Sequence, residues 1–554
     1  MSLTRMMAVV GGLTALALTG CGVPETSTKD YGDITGVEEI GQPLPALTGT
    51  VYYDAGVLHV TLASAELVVV SKHAVSGAIL LNDRASGATS TSLKTMAITG
   101  VAGAETIILD FANGTFAPGT LTGAGIVVTG GGGADVFKIR GQGAAADAIY
   151  LGGTAQAANI NLAADAYKDI TVTNGANVAM TFSLGGGNDV FTATGTANGV
   201  VSTYTGALTI YGGVGNDTIT GGDGADTIYG DIGDDTMNGG TNTAGIDTYY
   251  GGLGADAGAG ADTVTYAARS AAVFVRMIAY EDGGTAPVSG EAAESDKIEP
   301  DVEVVIGGSG DDSFLGDIGN QTFYGMAGND TFDMGAGTTG GAGSDTVYGG
   351  AGTDVVSYAT RVVAVVATMD LNVANDGEAL EADNVRDDVE NFICPTGAYA
   401  CTVTGNALDN TITCGAGDDT HIGGLGDDTF VEGAFATLGA GNDSFTGGTG
   451  IDTVDFATFG AGTNVWTMSG VATSAKTIAL DVENLTCPTA TACTVTGNVS
   501  NNKIVGSSAV DTINAGAGDD NIETVGGTDV VDCGDGSDFV YSAAGTPVLT
   551  ACEL

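Results

Sequence analysis

The chain has 554 residues, 92 of them glycine, and sets 67 acidic against 15 basic side chains for a formal net charge of −52. That imbalance excludes nucleic acid as a partner and calls for bound cations if a compact state is to withstand its own repulsion. A hydrophobic fraction of 43% excludes a disordered acidic tail, so the chain can bury a core.

Arg5 precedes an apolar run over residues 6–18, and Leu18-Thr19-Gly20-Cys21 follows. The run is too short for a stable membrane span and reads as a secretion signal, residues 1–20. Leu-Thr-Gly-Cys resembles the bacterial lipobox, which implies cleavage before Cys21 and diacylglycerol modification of its thiol. Cys21 is then the lipidation site, and the membrane is a partner through this N-terminal anchor. Residues 21–44 are polar with proline near both ends and read as a tether.

Residues 45–205 carry short apolar runs split by Gly, Asn and Ser: GVLHVTL, AELVVVS, GAILLND, ETIILDF, GIVVTG. These are strands. GGGGADVFK, with Asp135, and LGGGNDVFT, with Asp189, foreshadow a nine-residue unit that becomes regular further on. Two readings stay open for this region, a degenerate stretch of the same solenoid or a separate β-sandwich, with the solenoid preferred.

Residues 212–238 read GGVGNDTIT, GGDGADTIY, GDIGDDTMN without a break. The pattern is G-G-x-G-x-D-x-U-x, where U is Ile219, Ile228 and Met237. Such a unit must make a sharp turn and then a very short strand. Gly212, Gly213 and Gly215, then Gly221, Gly222 and Gly224, turn the chain and let backbone carbonyls close around a cation. Asp217, Asp226 and Asp235 add a hard carboxylate oxygen, a donor set that suits Ca2+ rather than a nitrogen- or sulfur-seeking metal. Alternation along T-I-T sends one apolar side chain inward and its polar neighbours outward.

The stretch resembles the RTX, or haemolysin-type, calcium-binding repeat family. The resemblance implies an all-β, right-handed parallel β-roll or β-helix solenoid, with multiple Ca2+ ions shared between successive turns and β-rich inserts where the repeat breaks. Repeat blocks occupy residues 206–268, 307–360, 403–456 and 496–554, the last with a C-terminal cap. Inserts occupy 269–306, 361–402 and 457–495. The first three blocks end in DTVTYA (Asp262), DVVSYA (Asp354) and DTVDFA (Asp452), and the inserts return through DVEVVIGG, DVENFICP and DVENLTCP, so block plus insert is a duplicated unit. Position six of further nonapeptides adds the candidate metal ligands Asp256, Asp312, Asp330, Asp345, Asp354, Asp419, Asp428, Asp443, Asp452, Asp511, Asp520 and Asp538. Gln321 and Asn410 stand where a carboxylate belongs, which puts those two sites in doubt.

Of eight cysteines, Cys21 is set aside for lipid. Cys394 and Cys401 in CPTGAYAC, and Cys487 and Cys493 in CPTATAC, occupy equivalent points of two inserts and read as local disulfides. Cys533 with Cys552 would staple the last coil. Cys414 is left over.

No catalytic constellation emerges. His59, His73 and His421 are not followed by Glu as H-E-x-x-H requires, and there is no G-x-S-x-G or phosphate loop. The expectation is a calcium-binding, extracytoplasmic surface lipoprotein, held at an outer membrane or cell surface. Its role is structural or adhesive, it folds on Ca2+ binding, and its partner is a cell-surface glycan or protein. The runner-up is an extracellular hydrolase with its active site in residues 45–205.

Overall fold

A strand of about three residues can bury a single side chain. That gains about 1.5–3 kcal/mol, less than ordering the unit's backbone costs at about 1–2 kcal/mol per residue. The unit therefore has to be stacked. In Thr218–Thr220, Thr236–Asn238 and Thr263–Thr265 the central Ile219, Met237 and Val264 are fully buried and sit one above another, through Ile219↔Met237 and Met237↔Val264. The intervening units stack likewise on the opposite wall, through Ile210↔Ile228 and Ile228↔Tyr249. Two nonapeptides thus make one coil, and every strand pair in these coils is parallel.

The computed structural model describes residues 44, 46–76, 78–113, 125–131, 133–143, 145–162, 169–173, 178–195, 202–240, 245–252, 260–277, 295–299, 301–316, 319–335, 343–370, 373–379, 381–413, 415–432, 441–459, 464–470 and 476–552. Cys21 and the signal, Asp256 and Cys414 lie outside these residues. The described chain is all-β, with no helix. One wall runs as a continuous ladder from Leu67–Lys72 to Phe539–Ser542. The facing wall is assembled from three sheets in succession: one of 15 strands up to Asn384–Val385, one of 6 around Cys401–Thr404, and one of 5 ending in Val548–Thr550. Long parallel sheets of this kind are those of an RTX-type β-roll solenoid. The first half belongs to the same stack, because Leu67–Lys72, Thr106–Asp110, Val136–Arg140, Ala179–Gly186 and Leu208–Val214 pair in parallel, one after the next.

The three inserts share one topology. Phe274–Met277 pairs ahead with Ser313–Leu315, and Ser295–Ile298 then returns to lie between it and Thr248–Tyr250. Val365–Thr368 pairs ahead with Cys401–Thr404, while Asn384–Val385 pairs back to Thr346–Ala351. Asn464–Thr467 pairs ahead with Cys493–Thr496, while Lys476–Ile478 pairs back to Asp443–Thr449. Each insert overshoots by a coil and then fills the gap behind it. Disulfides join Cys394–Cys401, Cys487–Cys493 and Cys533–Cys552, with Cα–Cα separations of 6.0, 6.2 and 5.0 Å.

Candidate metal centre

The residue before each short strand is the one the repeat pattern makes aspartate, and stacking places these residues in columns along both edges of the coil. The Asp217 N–H donates to Oδ1 of Asp235, eighteen residues on, at 2.7 Å. The Asp189 N–H donates to Asp217 Oδ1, and the Asp235 N–H to Asp262 Oδ1. On the other wall Leu208 donates to Asp226, Asp226 to Asp247, and Asp247 to Asp296. Asp217 and Asp235 therefore share a column, and Asp226 belongs to the opposite one.

The same ladder recurs in every block: Asp312 to Asp330 to Asp354, Gln321 to Asp345 to Asp383, Asp419 to Asp443, Asp428 to Asp452, Asp511 to Asp529, and Asp520 to Asp538. Each carboxylate spends one oxygen on holding the coil above it.

The second oxygen is left over. Oδ2 of Asp189, Asp217, Asp235, Asp330, Asp345, Asp354, Asp428, Asp452, Asp520, Asp529 and Asp538 is buried without a hydrogen-bond partner. A buried carboxylate oxygen without a partner costs free energy unless a cation meets it. The first glycine of each unit leaves the space for one. A Cβ at Gly212 would lie 2.6 Å from Asp217 Oδ2 and 2.5 Å from the Gly230 carbonyl of the next coil, and one at Gly230 would lie 2.6 Å from Asp235 Oδ2 and 2.8 Å from the Gly251 carbonyl. Gly221 occupies the same place beside Asp226 Oδ2 and the Gly239 carbonyl. Gly213 and Gly215 hold φ of +107° and +132°, and side chains there would strike the carbonyls of Gly185 and Gly187 in the coil before. Gly222 donates its N–H to Asp226 Oδ2 at 2.8 Å, and Gly224 lies against the Gly206 carbonyl.

Electrostatics point the same way. Burial, offset in part by the Asp189 N–H, raises the Asp217 carboxyl to about 7. Burial raises Asp226 to about 7 and Asp235, Asp247 and Asp345 to about 8, the neighbouring carboxylates of each column adding to the effect. A cation beside these groups would favour their charged form.

Among the described residues no three His, Cys, Asp or Glu side chains converge to hold a metal ion by themselves, so any ion here would take most of its ligands from the backbone. The donors on offer are one carboxylate oxygen and backbone carbonyls from consecutive turns, all hard oxygens, and they fit calcium. Bound there, Ca2+ would neutralise the column and tie one coil to the next.

Not every turn is alike. Asp226, Asp312, Asp419 and Asp511 receive on Oδ2 an N–H from Gly222, Gly308, Gly415 and Ser507 of their own turns. Asn410 and Asn502 turn their amides to the Glu390 and Glu483 carbonyls of the coil before, so these turns are closed by side-chain N–H groups. Asp443 departs from the sequence expectation, since Lys476 Nζ already holds its Oδ2.

The ladder also includes members the nonapeptide pattern did not reveal. Glu303, Glu390 and Glu483 accept the N–H of Asp262, Asp354 and Asp452, the longer side chain reaching the same point from the D-V-E return segments. Asp135 accepts the Glu105 N–H, carrying the ladder into the first half.

The family model of the RTX calcium-binding nonapeptide repeat matches residues 211–242, 303–338, 339–358, 402–430, 437–455 and 496–531. No curated protein matches the chain.

Proposed function

Because the chain carries RTX calcium-binding nonapeptide repeats stacked as a β-roll, we propose that it is an extracytoplasmic surface lipoprotein, anchored through Cys21, whose calcium-filled solenoid has a structural or adhesive role. The observation that carries this reading is the column of buried aspartates with Oδ1 committed to the ladder and Oδ2 facing the glycine cradle. The metal ligands are Asp217 and Asp235 and their counterparts Asp330, Asp345, Asp354, Asp428, Asp452, Asp520 and Asp538, with backbone carbonyls completing each set. Asp226, Asp312, Asp419 and Asp511 contribute through the lone pairs their own turns leave open. Calcium in extracellular modules binds at about 10⁻⁴–10⁻³ M, far above cytosolic levels, so the chain stays loose inside the cell and orders outside it.

The purified mature chain should bind cells or a glycan array in calcium and not in chelator, without turnover in a general hydrolase screen. Turnover would replace the adhesive reading with an enzymatic one. Cys21→Ser should leave the membrane fraction, and its retention there would refute the anchor.

A further inference from the structure

The three insert junctions hold the three lysine or arginine side chains that are buried among the described residues: Arg269, Arg361 and Lys476, at 8%, 1% and 4% exposure. In the first two junctions the pattern is the same. Tyr266 O–H donates to Asp296 Oδ2 at 2.9 Å with Arg269 over its ring, and Tyr358 O–H donates to Asp383 Oδ2 at 2.7 Å with Arg361 over its ring. The outer carboxylate oxygen that lacks a partner at Asp217, Asp235 and their counterparts is here capped by a phenol.

The third junction changes every one of these residues together. By the repeat of the unit, Phe456 stands for the tyrosine, Phe459 for the arginine, Lys476 for the aspartate, and Glu432 for Met334. Strand register puts Lys476 directly beside Asp443. Its Nζ binds Asp443 Oδ2 and Glu432 Oε1, and it lies 5.5 Å from the centroid of Phe459. Asp443 otherwise behaves as a ladder aspartate, its Oδ1 accepting the Asp419 N–H at 2.8 Å. A hydroxyl has been removed, a carboxylate turned into an ammonium, and a new carboxylate set opposite it.

We propose that the Lys476 ammonium is a resident cation that takes the place of calcium between Asp443 and Glu432, closing this coil permanently and without metal. The inference rests on the calcium reading of the other repeats. A primary ammonium is compact, carries three donors and is tethered by its own backbone, so the site it fills has no off-rate. Its single charge meets two carboxylates in a buried pair, an arrangement that is strongly destabilised if one partner is lost. Asn498 and Asn502 place amide N–H groups on the Val482 and Glu483 carbonyls at the end of the 457–495 insert, as Asn406 and Asn410 do on the Val389 and Glu390 carbonyls of the 361–402 insert. On its own edge the Lys476 coil is thus closed by a side chain, and it stays ordered when the rest of the solenoid has lost its ions.

The test is amide hydrogen exchange of the full mature chain, in chelator and in millimolar Ca2+, with a count of bound calcium. In chelator the strands Asp443–Thr449 and Lys476–Ile478 should exchange at least about tenfold more slowly than Thr218–Thr220 and Thr227–Ile232. Equal exchange in the two regions would overturn the proposal. Lys476→Met should lose that protection in chelator, regain it in Ca2+, and bind one more ion than the wild type, because Asp443 and Glu432 are then open to metal. A variant unchanged in protection and ion count, or unprotected even in Ca2+, would overturn it. A wild type that binds no calcium at all would sink the parent reading instead, and the contrast between Lys476→Met and wild type in chelator would then decide the inference by itself.

Discussion

Gly212→Ala separates the ion cradle from the backbone that surrounds it. Gly212 lies within the strand Leu208–Val214 and, unlike Gly213, has no positive φ, so alanine is conformationally allowed there. Its methyl would fall 2.6 Å from Asp217 Oδ2 and 2.5 Å from the Gly230 carbonyl, in the space where an ion would lie. With a dissociation constant of about 10⁻⁴–10⁻³ M and about 10 mM Ca2+, one site contributes RT ln(1 + [L]/Kd), or about 1.4–2.7 kcal/mol. Any purely steric cost of the methyl is present with and without metal and cancels in the difference. The variant should therefore be destabilised by about 1.4–2.7 kcal/mol more in calcium than in chelator. Exchange of peptides spanning Leu208–Asn238, in wild type and variant under both conditions, gives the local opening free energies. The same destabilisation in both conditions would mean that the methyl only strains the coil and that no ion lies beside Gly212.

Asp217→Asn and Asp235→Asn should be non-additive, coupled by about 0.5–3 kcal/mol through an ion shared between their stacked turns, whereas Asp217→Asn with Asp226→Asn, on opposite edges, should add to within about 0.5 kcal/mol, as seen in calcium titrations of singles and doubles. In chelator, stability should be greatest in acid and fall as pH rises from about 4 through about 8. Burial holds Asp217 and Asp226 at about 7 and Asp235 and Asp247 at about 8 in the fold, against about 3.9 in the open chain, so the unfolded state releases its protons first. Urea midpoints at pH 5 and pH 8 check this, and a higher midpoint at pH 8 would contradict it. Reducing the Cys533–Cys552 bond, which closes a 19-residue separation, should release about 3 kcal/mol of unfolded-chain constraint. Exchange should then quicken in Val530–Asp532 and Val548–Thr550 and not in Thr429–Val431.

What could be read from the sequence was what nine consecutive residues decide. The glycine turn, the short strand with Ile219, Ile228 or Met237 inward, and the aspartate before it are local, and the structure shows them where the spacing puts them. For residues 45–205 the sequence favours the solenoid over a sandwich only slightly, because few of the turns there carry the glycine signature. What settles it is parallel register at a distance, as in Phe137↔Met180 and Met180↔Leu208. Asp247 was missed because the residues before it, TNTAGI, break the glycine pattern although the coil still closes. Glu303, Glu390 and Glu483 are not legible as ladder members, since nothing local tells a surface glutamate from one that accepts an amide of a neighbouring coil. The backward step of the inserts was likewise hidden, for a strand's neighbour is chosen by which gap is open, and Lys476 takes its meaning only from lying beside Asp443.

The central claim is that these columns of buried carboxylates need calcium to form the coil, and the most direct measurement is amide exchange across Thr218–Thr220, Thr227–Ile232 and Thr236–Asn238 as Ca2+ is titrated into the chelated chain. Protection should be weak in chelator and rise cooperatively at about 10⁻⁴–10⁻³ M Ca2+. Full protection in chelator, unchanged by added Ca2+, would show that the β-roll stands without metal and would contradict the claim.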